Sequence, residues 1–303
     1  MTNVVVHLAL LLAMPPLLLG VINKTKAFFG GRRGPPLLQP YRDLNRLMRK
    51  GLVLSRTTTL IFRAAPIVSL VAIFFAGLLM PMGPFGSPAP AFPGDLVLFA
   101  YLFGLARFFT TAAALDTGSS FEGMGASREV TFACLSEPAL FFALLLLAKM
   151  SGSLMLSHMV HSPLQVHWTL QGPSLVLVAV GLFIIVLAEN CRIPVDDPNT
   201  HLELTMIHEV MVLDHSGPLL GLILYGAAMK LFVLGAFLLH VIAPFQTGRA
   251  WLDWGLFAAE LVGLSIAIGV VESIMARLQM RHVPTLLVAS ILFCAFGYFL
   301  LVR

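Results

Sequence analysis

At 303 residues, 58% of them hydrophobic and only 11% charged, with a mean hydropathy of +0.91, the chain cannot be a soluble domain. Such a composition belongs to a polytopic membrane protein. The net charge of +4 is not a nucleic-acid footprint, because the basic residues follow membrane topology.

A bilayer core of ~30 Å takes roughly 20 apolar residues per helix. Eight segments meet that need, near 3–22, 58–81, 95–115, 136–156, 173–190, 218–242, 253–276 and 284–302. The connections are too short for a separate soluble domain. The expected fold is an all-α integral membrane protein, with residues 1–303 forming one polytopic domain of eight helices with long loops 1, 3 and 5.

The first segment has no basic residue before it and no small-residue cleavage site after it, so it reads as a retained helix rather than a signal peptide. Loop 1 (23–56) follows, with nine basic residues against one acid, Asp43. Gly-Pro punctuation at 34–36 breaks any helix there. In YRDLNRLMRK (41–50), Leu44, Leu47 and Met48 fall at helical spacing opposite Arg and Lys, which predicts an interfacial amphipathic helix. Arg63, near the end of the second helix, is expected to snorkel to the headgroups.

The third helix carries Arg107 toward its loop-3 end, where snorkelling is again expected, as it is for Glu272 later in the chain. Loop 3 reads LDTGSSFEGMGASREVTFACLSEPAL (115–140). Its lone GMG is no dinucleotide fingerprint, since no strand precedes it and no βαβ unit is present. A polar, glycine-rich turn leading into Glu129 and Glu137 is expected to line a cavity.

Loop 5, AENCRIPVDDPNTHLELTMIHEVMVLDHSGP (188–218), holds six of the chain's fifteen acids. His201, His208 and His215 recur every seven residues, which on a helix separates neighbours by ~10.5 Å. One metal ion cannot span that, no HExxH occurs, and no metal is expected. The scattered Cys134, Cys191 and Cys294 signal neither a disulfide framework nor a zinc or iron–sulfur site. Glu189, at the membrane end of the fifth helix, and Asp196, Asp197, Glu203, Glu209 and Asp214 are candidates for proton handling or docking.

Ionisable residues inside a membrane are costly and are usually functional or paired. Lys230 lies ~18 Å beyond Pro218 by helical rise. Glu260, entering from the opposite side at Asp253, reaches a matching depth, ~20 Å from the loop-5 face of a ~30 Å core. The two are expected to pair.

Odd-numbered loops hold thirteen basic residues, while even loops and termini hold three, Lys149, Arg249 and Arg303. By the positive-inside rule the odd loops 1, 3, 5 and 7 face the cytoplasm and both termini lie outside. Loops 1 and 5, of opposite charge on one face, are expected to pack together and shape a docking surface.

RRGPPLLQPYRDLNRL (32–47), LDTGSSF and GASRE (115–129), ENCRIPVDDPNTHLEL (189–204) and DHSG (214–217) resemble the membrane anchor subunits of formate hydrogenlyase and related group 4 nickel–iron hydrogenases, of the hydrogenase-4 component C type. Those are homologous to subunit 1 of respiratory complex I. The resemblance covers the whole chain, including its helix count. It implies a non-catalytic subunit of a multi-subunit oxidoreductase in a prokaryotic inner membrane. Hydrophilic arm subunits would carry iron–sulfur clusters and a nickel–iron centre, with antiporter-like membrane subunits alongside.

Complex I relatives also wall a quinone cavity with these loops. By motif position Glu189, Arg192, Pro194, Asp196 and Glu203 match the family's fifth-loop pattern. Asp214 stands where many relatives have Glu, Val195 replaces a usual Phe, and Asn199 and His201 occupy places where complex I has acids. Arg33, Arg42, Asp43, Glu129 and Glu137 complete the implied coupling and interface set, with Arg33 and Arg42 as partners for the loop-5 acids. Two other classes, a passive anchor and a stand-alone ion transporter, stay open from the residues alone. The transporter lacks support from paired Gly/Pro-interrupted helices or an inverted repeat.

Overall fold

In a computed structural model, residues 2–82, 91–161, 164–196, 206–243, 247 and 249–302 are described. They contain eight helices long and apolar enough to span a bilayer, so the chain is a multi-pass membrane protein. These are α1 (Thr2–Phe29), α3 (Leu60–Leu79), α4 (Asp95–Asp116), α5 (Ser120–Ser151), α7 (Leu164–Glu189), α8 (Gly217–Ile242), α9 (Ala250–Ile274) and α10 (Val283–Val302). Two shorter helices intervene, α2 (Gln39–Met48) and α6 (Leu156–His161).

The amphipathic segment of loop 1 forms α2, opened by Pro40 in its first turn, where a missing N–H costs nothing. It lies along α8, with Leu47 and Met48 over Gly221. The most buried helix is α8, packed by α1, α3, α7 and α9. A second group, α5, α7 and α10, joins it through the α4–α5 and α7–α8 contacts.

Three expected boundaries move, among them the start of α7, which lies at Leu164 rather than near 173. Helix α1 runs to Phe29, seven residues beyond its apolar stretch. More consequentially, the glycine-rich "turn" of loop 3 is helix from Ser120 onward, giving a 32-residue α5. Propensity against glycine is overridden here by packing. A methyl on Gly125 would sit 2.9 Å from Met211 Cγ and 3.0 Å from the Ile207 carbonyl, so only glycine lets the 206–212 segment lie on α5. At the same end, the Thr59 N–H and hydroxyl donate to Asp116 at 2.7 and 2.9 Å, tying the start of α3 to the end of α4.

Much of the described part of loop 5 is buried rather than on the surface. Val195, Met206, Ile207, Val210, Met211 and Val212 are all buried.

Candidate functional site

Along α5, Glu129, Ala133, Ser136 and Glu137 fall on one face, a helical repeat of three and four. The small Ala133 leaves room there for side chains from α4 and α7. Arg107 of α4 reaches into that space. Its Nε donates to Glu129 at 3.3 Å, its Nη1 to Glu137, and its Nη2 to both oxygens of Glu189, at 2.6 and 2.5 Å. Glu189, the last residue of α7, also accepts from Ser136 Oγ at 2.5 Å and from Lys230 Nζ of α8 at 2.7 Å.

Three carboxylates thus share two cations, a local balance of −1 when all are ionised. Arg107, Glu189 and Lys230 are largely buried, whereas the Glu137 side chain is 48% exposed. Buried charges persist only when paired and hydrogen-bonded, and each buried member here has such a partner.

This arrangement corrects two expectations. Lys230 pairs with Glu189, not with Glu260. Matched depth is one coordinate; the other is the direction in which a side chain leaves its helix. Glu189, at the end of α7, is therefore buried within the bundle against Lys230. Glu260 is partly buried on α9 and has no ion pair among the described residues. Arg107 does not snorkel, since its guanidinium is the centre of the cluster. Arg63 is exposed, as a snorkelling residue is.

Nor does Glu272 snorkel. Its side chain is fully buried on α9, held by Lys26 of α1 at 2.9 Å and Arg192 at 3.4 Å. Asp196, 2% exposed, accepts from the Ile207 N–H at 2.8 Å and pairs with Arg277 at 2.8 Å. The Leu278 N–H donates to the Pro194 carbonyl at 2.9 Å. These bonds clasp residues 191–196 to α1, α9 and the start of the next connection.

Arg192 and Asp196 therefore face inward, and among the described residues no ion pair joins Arg33 or Arg42 to loop 5. The two loops do meet, but through Ser216 and the Val53 backbone, at 3.0 and 2.9 Å, rather than through opposite charges. Asp43 accepts from Gln39 at 3.0 Å and pairs with Arg46 at 3.3 Å, within α2. Exposed Asp214 donates its backbone N–H to buried Glu122 at 3.0 Å. Glu203, Asp197, Asn199 and His201 lie outside the described residues.

Small cavities adjoin the cluster, among them one of ≈ 20 Å³ against Arg107, Glu129, Ser136 and Glu189. One of ≈ 60 Å³ is lined by Arg107, Glu129, Glu189, His208 and Lys230. One of ≈ 150 Å³ is lined by Arg107, Glu137 and Glu189 together with apolar residues of α4 and α5. A larger one, ≈ 470 Å³, lies under α2 and loop 5 away from these charges, and Asn190, Cys191, Ala227 and His208 line both it and the ≈ 60 Å³ one.

Sequence reasoning missed Ser136, Lys26, Arg277 and the placement of His208. A serine in an apolar helix carries little signal. The heptad of histidines singled out His208, but spacing along the chain argued only against a shared metal ion and gave no sign of this position. Among the described residues no group of three or more His, Cys, Asp or Glu is placed to hold a metal ion. His215 stacks 3.9 Å from Phe62, and burial pulls its pKa down to about 4.

Across residues 1–303 the sequence matches the family described as NADH dehydrogenase. It is 32% identical over 281 residues to formate hydrogenlyase subunit 4 of Escherichia coli (strain K12), covering 90% of each chain. Hydrogenase-4 component C of the same organism is 34% identical over 242 residues, 80% of this chain and 74% of that one. An NADH-quinone oxidoreductase subunit from Syntrophotalea carbinolica is 24% identical, over 80% of this chain and 74% of its own. A chain of the membrane-bound sulfane sulfur reductase, an archaeal respiratory membrane complex, shares the fold. Its TM-score is 0.83 over 99% of each chain, at 21% identity.

Proposed function

The chain belongs to the NADH dehydrogenase family, and from that premise we propose that it anchors a hydrophilic redox arm and converts the arm's electron transfer into proton movement. The observation that carries this reading is the Arg107 cluster. A carboxylate–cation set with an excess negative charge, set beside cavities and reaching a half-exposed Glu137, can hold and release a proton. A passive anchor needs no such set, and unpaired alternatives would be costly at this depth.

In this reading the odd loops face the cytoplasm, where the exposed basic face of loop 1, with Arg33 and Arg42, and the acids Asp214 and Glu209 meet the arm. Iron–sulfur clusters and a nickel–iron centre are assigned to the arm's subunits. Glu137, on the flank of α5, faces an antiporter-like membrane subunit. Arg192 and Asp196 act from within, bracing loop 5 so that a push from the arm reaches Glu189 at the end of α7.

A second reading, in which the complex reduces quinone, is favoured by the ≈ 470 Å³ cavity. Its volume suits a small-molecule site. Its lining mixes Leu19, Leu44, Leu47 and Leu224 with Arg192 and His208, a fit for an isoprenoid tail and a polar ring. A quinone bound there supplies two-electron, two-proton acceptor chemistry.

The test is made in membranes carrying the whole complex. Co-migration of this chain with arm subunits on a native gel, and loss of proton movement in Glu189→Gln with electron transfer retained, are expected. A chain that migrates alone, or a Glu189→Gln complex that still moves protons at the normal rate, overturns the reading. A quinone-site inhibitor that blocks turnover and is lost on Leu44→Trp selects the second reading.

A further inference from the structure

We propose that His208 is a proton relay between the large cavity under loop 5 and the carboxylate cluster around Arg107, an inference that rests on the coupling role proposed above. Its position is the first support. His208 lines both the ≈ 470 Å³ cavity and the ≈ 60 Å³ one, so it is part of the wall between them, with Asn190 and Cys191. Arg107, Glu129, Glu189 and Lys230 line the smaller cavity too.

The second support is an unsatisfied demand. His208 Nε2 is buried without a hydrogen-bond partner, as is Asn190 Oδ1. Native proteins rarely leave a buried polar atom so without a function or a bridging water. The smaller cavity exceeds the ~10–15 Å³ that one water needs, so a short water chain fits between the ring and the carboxylates.

The third is chemical. Burial holds the His208 pKa below its usual 6.5, opposed by Glu129 of α5 and Asp196 and reinforced by Lys230 of α8. The resting ring is therefore neutral, with one nitrogen that accepts and one N–H that donates. A proton arriving on the free nitrogen from one cavity is matched by release of the proton on the other nitrogen toward the opposite one. The ring returns to its starting charge as the other tautomer, and a ring flip resets it. Cys191 beside it does not compete, since burial raises its thiol pKa well above the ordinary value.

His208→Gln and His208→Phe, each in the whole complex in inverted membrane vesicles, test this. Electron flow is driven by a reduced viologen dye, and proton uptake is read by quenching of an acridine dye. Both variants are expected to assemble and to lose proton uptake about a hundredfold, the scale of removing a proton-transfer group. Glutamine keeps the size and hydrogen bonding of the ring but cannot pass a proton, so a merely structural histidine would be rescued by it.

Normal uptake in His208→Gln, or failure of both variants to assemble, overturns the relay. A wild-type complex that moves no protons overturns the coupling role itself, and the relay with it. Coupled wild type with coupled variants overturns the relay alone.

Discussion

Around Arg107, three carboxylates divide two cations beside cavities, and one of the acids is half exposed. Around Glu272, one fully buried carboxylate is gripped by two cations, Lys26 and Arg192, from two other parts of the chain. Both assemblies use the same residue types at the edge of the same loop, which begins at Glu189 and passes through Arg192. The difference is in charge balance and exposure. Excess acid next to a cavity leaves a proton somewhere to go; a carboxylate held on both oxygens in a sealed site has one stable state. Under the proposed function, ion pairs in this bundle divide into a group that changes and a group that braces it.

The largest effect is expected at the centre of the changeable group. Arg107→Met leaves Glu129, Glu137 and Glu189 with Lys230 alone, and removing one partner of a buried ionic set costs about 3–5 kcal/mol. The complex should fail to accumulate, as read on a native gel, and adding Glu189→Gln should restore part of it. Normal accumulation in Arg107→Met would break the comparison.

The two carboxylates should then separate cleanly. Glu272→Gln is expected to cost roughly 3 kcal/mol, lowering the melting temperature of the solubilised protein. Proton movement per assembled complex should stay normal. Glu189→Gln should give the reverse ranking, with proton movement lost. Equal behaviour of the two would mean that both are braces or both are carriers.

Gly125→Val tests how loop 5 is seated on α5. Overpacking costs typically about 1–3 kcal/mol, and the strain falls on Met211 and Ile207. Hydrogen exchange in 206–212 should speed up while α9 and α10 stay protected. Acid should act on the same region through His215. Its folded pKa, near 4 against an ordinary 6.5, means that the folded state binds fewer protons than the unfolded one. Its stabilisation is complete above pH 6.5 and is lost progressively as pH falls toward 4. The melting temperature of His215→Phe should fall less steeply than that of wild type across that window.

The smallest effect is expected at Glu260. With no ion pair among the described residues, Glu260→Gln should shift stability by under ~1 kcal/mol. A double-mutant cycle with Lys230→Gln should be additive within about 0.5 kcal/mol. Coupling larger than that would restore the pairing that matched depth suggested.

That pairing marks where reading the chain runs out. The eight helices are written in the length and apolarity of their segments, because a bilayer imposes both. Arg107, Glu129, Glu137, Glu189, Lys230 and Glu272 are individually visible, because a charge in or near a membrane helix is too costly to be casual. The amphipathic α2 follows from its periodicity. The family motifs lie in the loops that lead into these ion pairs.

Which charges meet was decided only by tertiary structure. Rise per residue fixes the depth of Lys230 and Glu260, but azimuth and helix placement fix their partners, and these depend on how α8 packs among α1, α3, α7 and α9. The same holds for loop 5. Its acids read as a cytoplasmic surface, yet Arg192 and Asp196 turn inward, where Glu272 and Arg277 pair with them. His208 became a candidate relay only once two cavities were seen to share it. Sequence sets the energetic demand of each residue along one dimension, and packing in three dimensions selects which neighbour meets it.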